Sequence, residues 1–406
     1  MGTATYEEIC GAFSPNVTSD EARAAAAPGA ALRVTLASLL ALTTALGFGG
    51  NLVVCLVVYR RPAMRSAINL LLATLAFSDM ALAASCAAPD AVSVAAGAWP
   101  FGEAACRVST ALFWLLAAEG VAVLLVISAD RFLIIVRRRD TLTPRRAKAV
   151  IAASWAASLA VSLPAAVGWP TVESPPRAPR CVLSYPRAAG GGGGGGGAGG
   201  GGAAAAAGGA GGAVGGGGGA AGGSRAYAAA ATTAVFFAPF AAMLYAYLRI
   251  LNAVRRNAAR VHNHPAGLCP SRAGKPGLAG LQTLSRLNAD VSFKTRAFAT
   301  VLTLFGVCAA CFAPCAAHVL LSACSRAFYC GASFYAASAW VLWLAYLKAA
   351  LNPVVYYWRI GKFRRACGEL APQLFRSLPA SVFPGRARGR VRPSAVYVCG
   401  ESQSAL

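Results

Sequence analysis

The sequence predicts an all-α membrane protein, a seven-transmembrane helix bundle with a short amphipathic eighth helix. Three observations predict this fold class. The chain of 406 residues is 57% hydrophobic and 13% charged, with a mean hydropathy of +0.56, which is too apolar for an ordinary soluble domain. It contains seven apolar runs, each long enough to cross a bilayer. Its Lys and Arg residues are concentrated in alternate connections between those runs.

The order of these elements divides the chain into four parts. Residues 1–31 form an N-terminal tail, 32–358 the membrane domain, 359–370 the amphipathic helix and 371–406 a C-terminal tail. The spans are expected at residues 32–58, 67–95, 104–136, 148–168, 226–250, 295–322 and 333–357. The segment FRRACGEL, residues 363–370, has an apolar and a basic face, which predicts a short helix lying on the inner leaflet.

Orientation follows from the basic residues. Of the 37 Lys and Arg residues, 27 lie in the connections 59–66, 137–148 and 249–296 and in the tail after span seven, whereas eight lie on the opposite side. The positive-inside rule therefore predicts an extracellular N-terminus and a cytoplasmic C-terminus. Because this topology explains the net charge of +23, nucleic-acid binding is not expected. Residues 1–30 lack the basic start and apolar core of a secretory signal, so the first span is expected to act as a signal anchor.

The loop between spans four and five contains a low-complexity insert. Residues 190–223 are almost entirely Gly and Ala, and they hold 23 of the 44 glycines. Such a segment cannot bury enough apolar surface to offset the entropy lost on ordering it. We therefore expect a disordered insert over residues 188–223 in this second extracellular loop.

Three short signals predict modification or binding outside the spans. Asn16 begins a glycosylation sequon that fits an extracellular N-terminus. Cys367, on the amphipathic helix, is a palmitoylation candidate. The ending Ser404–Leu406 matches the Ser/Thr-x-apolar tail that PDZ domains bind by strand addition.

One short motif lies on each predicted span. In chain order these are Gly50-Asn51, Leu75-Ala76-Phe77-Ser78-Asp79, Asp130-Arg131-Phe132, Trp155, Pro239 with Tyr247, Cys311-Phe312-Ala313-Pro314, and Asn352-Pro353-Val354-Val355-Tyr356 followed by Phe363. Each motif is weak alone, but seven in this order on successive spans are specific. The chain resembles the rhodopsin-like (class A) G-protein-coupled receptors, and most closely an orphan pair within that class. The resemblance covers the whole chain except the Gly/Ala insert and parts of the third cytoplasmic loop.

The resemblance implies a plasma-membrane receptor that transmits a conformational signal to heterotrimeric G proteins. It implies no catalytic residue, no cofactor and no metal centre, and its partners are a G protein, membrane lipids and a ligand of unknown identity. The resemblance also implies a disulfide between Cys106, just outside span three, and Cys181 in the outer loop. This bond would tie that loop to the helix bundle.

The resemblance also implies the residues that carry activation. Asp130 holds the adjacent Arg131 in the off state, and activation frees this arginine toward the G protein and toward the positions of Tyr247 and Tyr356. The G protein binds in a groove that opens between spans three, five and six. Prolines in spans five, six and seven permit the kinks that let the inner ends swing: Pro239, Pro314 and Pro353.

Two departures from the class affect the off state. Phe312 stands where the class has a tryptophan, so the usual aromatic toggle is smaller and lacks the indole N–H. Lys294 stands where many relatives have a glutamate that clamps the span-three arginine. Because a like charge replaces that partner, we expect appreciable basal signalling.

The candidate pocket consists of Phe113, Trp114 and Arg107. Phe113 occupies the position of the aminergic aspartate, so a monoamine ligand is not expected. Ser109 and Thr110 replace the Arg-Glu pair that lysophosphatidate receptors use in span three. A lysophospholipid is nevertheless retained as a candidate because three arginines lie near the expected mouth of the pocket: Arg107, Arg177 and Arg180.

Other classes of membrane protein fit the sequence less well. No internal repeat of the kind found in transporters is visible. The histidines His262, His264 and His318 do not supply the cluster that an intramembrane hydrolase would need. A pseudo-receptor that modulates partner receptors without binding a ligand is retained as an alternative.

Lys348 is a charged side chain within span seven, where burial in a bilayer costs roughly 2.5–3.5 kcal/mol. Class A receptors carry a sodium ion between spans two, three and seven, and Asp79 matches its main ligand. The remaining ligands map onto Gly120, Lys348, Ala349 and Asn352, so two polar groups are lost and one has become an ammonium. We expect Lys348 to take the place of sodium and to pair with Asp79, with Asn352 one turn below it.

Glu119 is a second ionisable residue within a span and is therefore a functional candidate by default. It is expected either to be neutral or to be hydrogen-bonded to a neighbouring helix. A pair between Glu119 and Lys348 is a rival to the pair with Asp79. A Lys348 that is neutralised by desolvation is a further alternative.

Overall fold

The body of the molecule consists of seven helices that are long and apolar enough to cross a membrane. The structure is a computed structural model that describes residues 29–168, 172–173, 181–183, 218–263, 278–329 and 334–376. Spans one, three, four, six and seven are Ala30–Arg60, Gly102–Ile135, Pro144–Ala166, Leu278–Cys324 and Phe334–Arg359. Spans two and five each contain one π-helical turn. Span two consists of Ala67–Leu82, the π-helical turn Ala83–Ala87 and Ala88–Ala96. Span five consists of Gly218–Thr232, the π-helical turn Thr233–Phe237 and Ala238–Asn263. Short helical turns at Pro62–Met64 and Arg326–Tyr329 and helix eight, Gly361–Arg376, complete the helices.

The predicted seven-helix bundle with an eighth helix is confirmed, with three differences in detail. Helix eight begins two residues later than expected and continues six residues past residue 370. Span five begins at Gly218, so the last six residues of the expected insert are helical, and residues 188–217 lie outside the described part. Two short antiparallel strands, Val172–Glu173 and Val182–Leu183, add a small ribbon that an all-α prediction leaves out.

Span three is the axis of the bundle. It is the most buried of the seven spans and span four is the least buried. Span three packs against spans two, four, five and six, while span seven packs against spans one and six. We call the end of the bundle that carries Cys106 the disulfide end, and the opposite end, near the last turns of span three, the Arg131 end.

Both π-helical turns immediately precede a proline. The turn in span two ends two residues before Pro89, and the turn in span five ends two residues before Pro239. Proline has no N–H and its ring crowds the preceding turn, so a locally widened helix accommodates it without breaking. Spans two and five therefore each continue as helices past a proline.

A close contact between spans one and seven explains the Gly50-Asn51 motif. A Cβ atom at Gly50 would lie 2.9 Å from the ring of Pro353, so only glycine leaves room for that proline. Pro353 has no N–H to donate to the carbonyl of Ala349 four residues earlier. The Asn51 side chain donates to that carbonyl instead, at 2.8 Å, and so satisfies a buried backbone acceptor.

Candidate functional site

The centre of the bundle contains a buried charged pair. Lys348 Nζ lies 2.7 Å from Asp79 Oδ1, and both side chains are 1% exposed. Asn352, one turn further along span seven, donates from Nδ2 to Asp79 Oδ2 at 2.6 Å. Both carboxylate oxygens are therefore occupied by donors from span seven, and the pairing of Lys348 with Asp79 that the sequence predicts is present.

Gly120 provides the space that the ammonium fills. A Cβ atom at Gly120 would lie only 2.8 Å from Lys348 Nζ, so any side chain there would compete with the ammonium for the same volume. On the side of span six, the ring of Phe312 lies with its centroid 5.6 Å from Nζ, within range of a cation–π attraction. Phe312 thus contacts the polar centre from the position where the class has a tryptophan.

The residues around Asp79 do not fit a sodium ion. A hard cation needs several oxygen ligands, but Gly120 and Ala349 offer no side-chain oxygen, and Ala349 O already accepts from Asn51. The two carboxylate oxygens are engaged by Lys348 and Asn352. The Lys348 ammonium itself balances the charge of Asp79.

Glu119 is separate from this centre and faces span four. Its carboxylate accepts hydrogen bonds from Ser154 Oγ at 2.8 Å and from Ser158 Oγ at 3.2 Å. The expected hydrogen bonding to a neighbouring helix is therefore present, and the rival pairing of Glu119 with Lys348 is wrong. Two hydroxyl donors satisfy the buried oxygens and join spans three and four.

At the Arg131 end, the arginine is bound to its neighbour in the chain. Arg131 donates from Nε and Nη2 to Asp130 Oδ2, at 3.0 and 2.6 Å, and these are its only hydrogen bonds in the part of the chain that the structure describes. The Tyr247 hydroxyl lies 2.6 Å from Ser128 Oγ, which links spans five and three. Tyr356 packs its ring against Phe363 of helix eight. Among the described residues, neither tyrosine hydroxyl forms a hydrogen bond with Arg131.

Three further residues that the sequence assigns to activation lie on spans six and seven. Lys294 lies on span six, in a stretch whose side chains the structure does not describe. Pro314 and Pro353 lie inside spans six and seven, as predicted.

A cavity opens toward the disulfide end between spans three, six and seven. It holds about 80 Å³ and is lined by aromatic and aliphatic side chains, including Phe113, Trp114 and Phe334, with hydroxyl and imidazole groups between them. His318 Nε2 and Ser338 Oγ lie 3.1 Å apart in its wall. Phe113 and Trp114 line it as predicted, whereas Arg107 lies outside the lining and pairs with Glu103.

The disulfide between Cys106 and Cys181 is present, so that prediction is confirmed. Cys181 also lines the cavity, and the bond therefore holds the loop that carries Cys181 against the cavity. Three other predicted residues of this end lie outside the described residues: Asn16, Arg177 and Arg180.

The sequence reading missed a buried contact between spans two and seven. The Tyr346 hydroxyl donates to Asp90 Oδ2 at 2.5 Å, and the Tyr346 ring packs edge-on against Phe113 in the cavity wall. Asp90 is 2% exposed. The signal was available, because Asp90 is an ionisable residue within a predicted span, as Glu119 is.

Comparison with known proteins identifies the family. The model of the seven-transmembrane receptors of the rhodopsin family matches residues 50–190 and 221–356. The chain belongs to this family. It is similar to the High-affinity lysophosphatidic acid receptor of Xenopus laevis, with 50% identity over 92% of this chain and 91% of that protein. It is also similar to two human proteins, Probable G-protein coupled receptor 45, with 49% identity over 93% of this chain and 92% of the relative, and Probable G-protein coupled receptor 63, with 44% identity over 92% and 81%.

Among solved structures, the receptor is similar to squid rhodopsin, with a TM-score of 0.65 over 86% of this chain and 87% of that one. The sequence identity of 18% means that this likeness supports the fold alone. The predicted receptor class is therefore confirmed, and so is the predicted resemblance to an orphan pair within it, which corresponds to receptors 45 and 63. The receptor is a multi-pass membrane protein that signals to G proteins and is not an enzyme.

Proposed function

We propose that the receptor responds to a lysophospholipid such as lysophosphatidic acid, bound at the disulfide end, and signals from the Arg131 end to a G protein. The disulfide end and the N-terminus are then extracellular and the C-terminus is cytoplasmic, as the distribution of basic residues favours. The observation that carries this proposal is an uncharged cavity with cationic side chains within one helical turn of its wall. The relative named High-affinity lysophosphatidic acid receptor supports the same ligand class.

The cavity suits the apolar part of such a ligand. Its described lining contains no Lys, Arg, Asp or Glu, and Phe113, Trp114 and Phe334 are among its apolar side chains. A charged headgroup would find no counter-ion there, whereas an acyl chain would bury apolar area. Its volume of about 80 Å³ accommodates only part of an acyl chain. Ligand binding is therefore expected to widen the space between spans three, six and seven.

Two arginines are the groups that we propose to bind the phosphate of the ligand. Arg107 precedes the cavity residue Thr110 by three positions on span three, and Arg326 precedes the cavity residue Tyr329 by three positions on its short helix. Both lie one helical turn from the wall. Arg107 is already bound to an exposed carboxylate, Glu103, 3.3 Å away, and a phosphate could take the place of that carboxylate.

The ligand proposal is tested with lysophosphatidic acid on cells that express the receptor at verified surface density. Arg107→Ala and Arg326→Ala should each raise the half-maximal concentration about tenfold or more, because a hydrogen bond to a charged group contributes about 1.5–3 kcal/mol. Arg225→Ala is the matched control, since Arg225 is an exposed cation at the start of span five outside the cavity lining. An absent response, or equal losses in all three variants, would refute the proposal.

Appreciable basal signalling is the second part of the proposal. Within the described residues only the adjacent Asp130 binds Arg131, and Lys294 replaces the acid that would clamp it from span six. The off state then has one fewer link between spans three and six. Cyclic AMP or inositol phosphate levels should depart from those of mock-transfected cells without ligand. Unchanged levels at verified surface density would contradict this part.

The third part of the proposal concerns the polar centre. Lys348 holds the charge-balancing position that sodium holds in relatives, so signalling should not depend on sodium. Both oxygens of Asp79 are engaged by the protein, which supports this role. Lys348→Asn, combined with Gly120→Ser and Ala349→Ser to supply the missing oxygen ligands, should make basal signalling sensitive to replacement of sodium by choline. If this variant stays insensitive, Lys348 does not stand in for sodium.

Two further partners are proposed for the cytoplasmic side. Cys367 is half-buried on helix eight, where burial raises the pKa of its thiol, and a palmitate there would anchor the helix to the leaflet. A PDZ domain is proposed to bind Ser404–Leu406, which lies outside the described residues. Acyl-biotin exchange, with Cys367→Ser as the control, tests for the palmitate. The PDZ proposal is tested with a C-terminal peptide, which should lose its binding to a PDZ domain when Leu406 is removed.

A further inference from the structure

Span six carries three buried thiols, and one of them lies in the wall of the cavity at the disulfide end. Cys308, Cys311 and Cys315 are 0%, 5% and 4% exposed, and none of the three forms a disulfide. Cys315 lines the cavity, whereas Cys308 and Cys311 lie outside its described lining. A molecule that enters the cavity therefore meets the Cys315 thiol and not the other two.

An imidazole lies one helical turn from this thiol. His318 follows Cys315 by three positions on span six, and both side chains line the cavity. Residues three positions apart lie on the same face of a helix, with about 5–6 Å between their Cβ atoms. An imidazole beside a thiol can remove its proton and so produce the thiolate, which is the nucleophilic form. The cavity wall therefore combines a nucleophile with a base.

The hydrogen bonds around His318 determine which of its ring nitrogens can accept a proton. Ser338 Oγ donates its single hydrogen to Phe334 O, at 2.7 Å. The 3.1 Å contact between Ser338 Oγ and His318 Nε2 must therefore use a hydrogen of the imidazole, which makes Nε2 the donor. In a neutral imidazole, Nδ1 is then the acceptor. The rings of Phe328 and Phe334 pack against the imidazole, at 5.3 and 5.1 Å between centroids, and hold it in this orientation.

Thr110 of span three brings an unsatisfied hydroxyl into the wall of the same cavity. Thr110 is 5% exposed, and its buried Oγ1 has no hydrogen-bond partner among the described residues. A buried hydroxyl without a partner is destabilising, and a ligand oxygen that accepts from it would remove that cost. The cavity is therefore suited to a small, apolar molecule that carries an oxygen acceptor.

We propose that the cavity captures an α,β-unsaturated ketone or aldehyde, the kind of electrophile that forms when unsaturated acyl chains are oxidised, as a covalent adduct of Cys315. His318 Nδ1 takes the thiol proton, the thiolate sulfur bonds to the β-carbon, and the electrons of the carbon–carbon double bond move to the carbonyl oxygen. The Thr110 hydroxyl donates to that oxygen while it is negative. The imidazolium then returns the proton to the α-carbon, so the product is a saturated thioether and no oxidant or reductant is needed.

The test uses the purified full-length receptor in nanodiscs and an alkyne-tagged vinyl ketone as the probe. The receptor is exposed to the probe at several concentrations for fixed times, and the modification of each cysteine is quantified by peptide mass spectrometry. Cys308 and Cys311 are matched controls within the same molecule, because they share the helix and the burial of Cys315 but not its place in the cavity wall. Cys324, which is exposed, reports the reactivity of an ordinary thiol.

Cys315 should be modified about tenfold faster or more than Cys308 and Cys311, because buried thiols without a base beside them are inert. Its rate should also saturate as the probe concentration rises, since binding in the cavity precedes the addition. Equal rates at the three thiols of span six, or a Cys315 rate that rises without saturation, would overturn the site. The assay contains no lysophosphatidic acid, so failure of the ligand proposal above leaves this result unaffected.

Two variants test the roles of the neighbouring side chains. His318→Gln keeps a donor for Ser338 but has no basic nitrogen, and it should slow the modification of Cys315 about tenfold or more, because a general base typically contributes about 10²–10⁴-fold. Thr110→Val removes the hydroxyl at nearly constant volume and should slow it about fivefold or more. The rate at Cys324 should not change in either variant. If the Cys315 rate is unchanged in both, these side chains do not assist the addition and the proposed mechanism is wrong.

Discussion

The buried pair of Lys348 and Asp79 should behave as one unit in stability. Lys348→Met removes the ammonium at nearly constant volume and leaves Asp79 as an uncompensated charge that is 1% exposed. Asp79→Asn does the reverse. Removal of one partner of a buried ion pair typically costs about 3–5 kcal/mol of stability. Each kcal/mol lowers the unfolding temperature by about 2–4 °C, so each single variant should unfold roughly 10 °C lower.

The double variant distinguishes this account from simple packing loss. With Asp79→Asn and Lys348→Met together, no charge is left alone, and the amide that replaces the carboxylate can still accept from Asn352. The double variant should therefore be more stable than either single variant, by about 2 kcal/mol or more. Packing loss alone would make the two effects add.

The assay is thermal unfolding of the purified receptor, followed by tryptophan fluorescence at a fixed heating rate. The control is Lys362→Met, which removes an exposed lysine from helix eight and should shift the midpoint by less than about 2 °C. If Lys348→Met is as mild as this control, or if the double variant is the least stable, the two charges do not compensate each other.

Three other features of the structure lead to predictions of their own. Restoring the oxygen ligands with Gly120→Ser, Lys348→Asn and Ala349→Ser should create sodium-specific thermal stabilisation, worth about 1.4 kcal/mol at ten times the dissociation constant, which choline should not reproduce. Glu119→Gln keeps an oxygen that accepts from the serine hydroxyls of span four, whereas Glu119→Leu does not. Thermal unfolding should therefore show that the Gln variant is more stable than the Leu variant by about 1–3 kcal/mol. Because burial raises the pKa of the Cys367 thiol above its ordinary value of 9.0, its thiolate forms later, and alkylation by iodoacetamide, measured by mass spectrometry, should still rise steeply with pH at pH 9.

Features that depend on composition or on a single unusual residue could be predicted from the sequence. The seven spans follow from apolar runs. The partner of Lys348 follows because a lone ammonium in a span requires a carboxylate, and the resemblance placed Asp79 opposite it. The disulfide was also predictable, because Cys106 and Cys181 match the positions that the class pairs.

Features that depend on packing between spans could not be predicted. The space at Gly120 is visible only as the 2.8 Å between a notional Cβ atom and the ammonium. The hydrogen bond from Asn51 to Ala349 O depends on how span one meets the turn before Pro353. Periodicity reports which residues are apolar, but it does not report which helix each one faces, so the Glu119 contact with span four was one of several alternatives.

Nucleotide exchange by purified components tests the central claim most directly. The receptor in nanodiscs, without ligand, is mixed with one G protein from each of the four α-subunit classes, in sodium or in choline buffer. We expect exchange above the receptor-free rate for at least one class, at the same rate in both buffers. Exchange that sodium suppresses would contradict the role of Lys348, and no exchange with any class would favour a pseudo-receptor that modulates its partners.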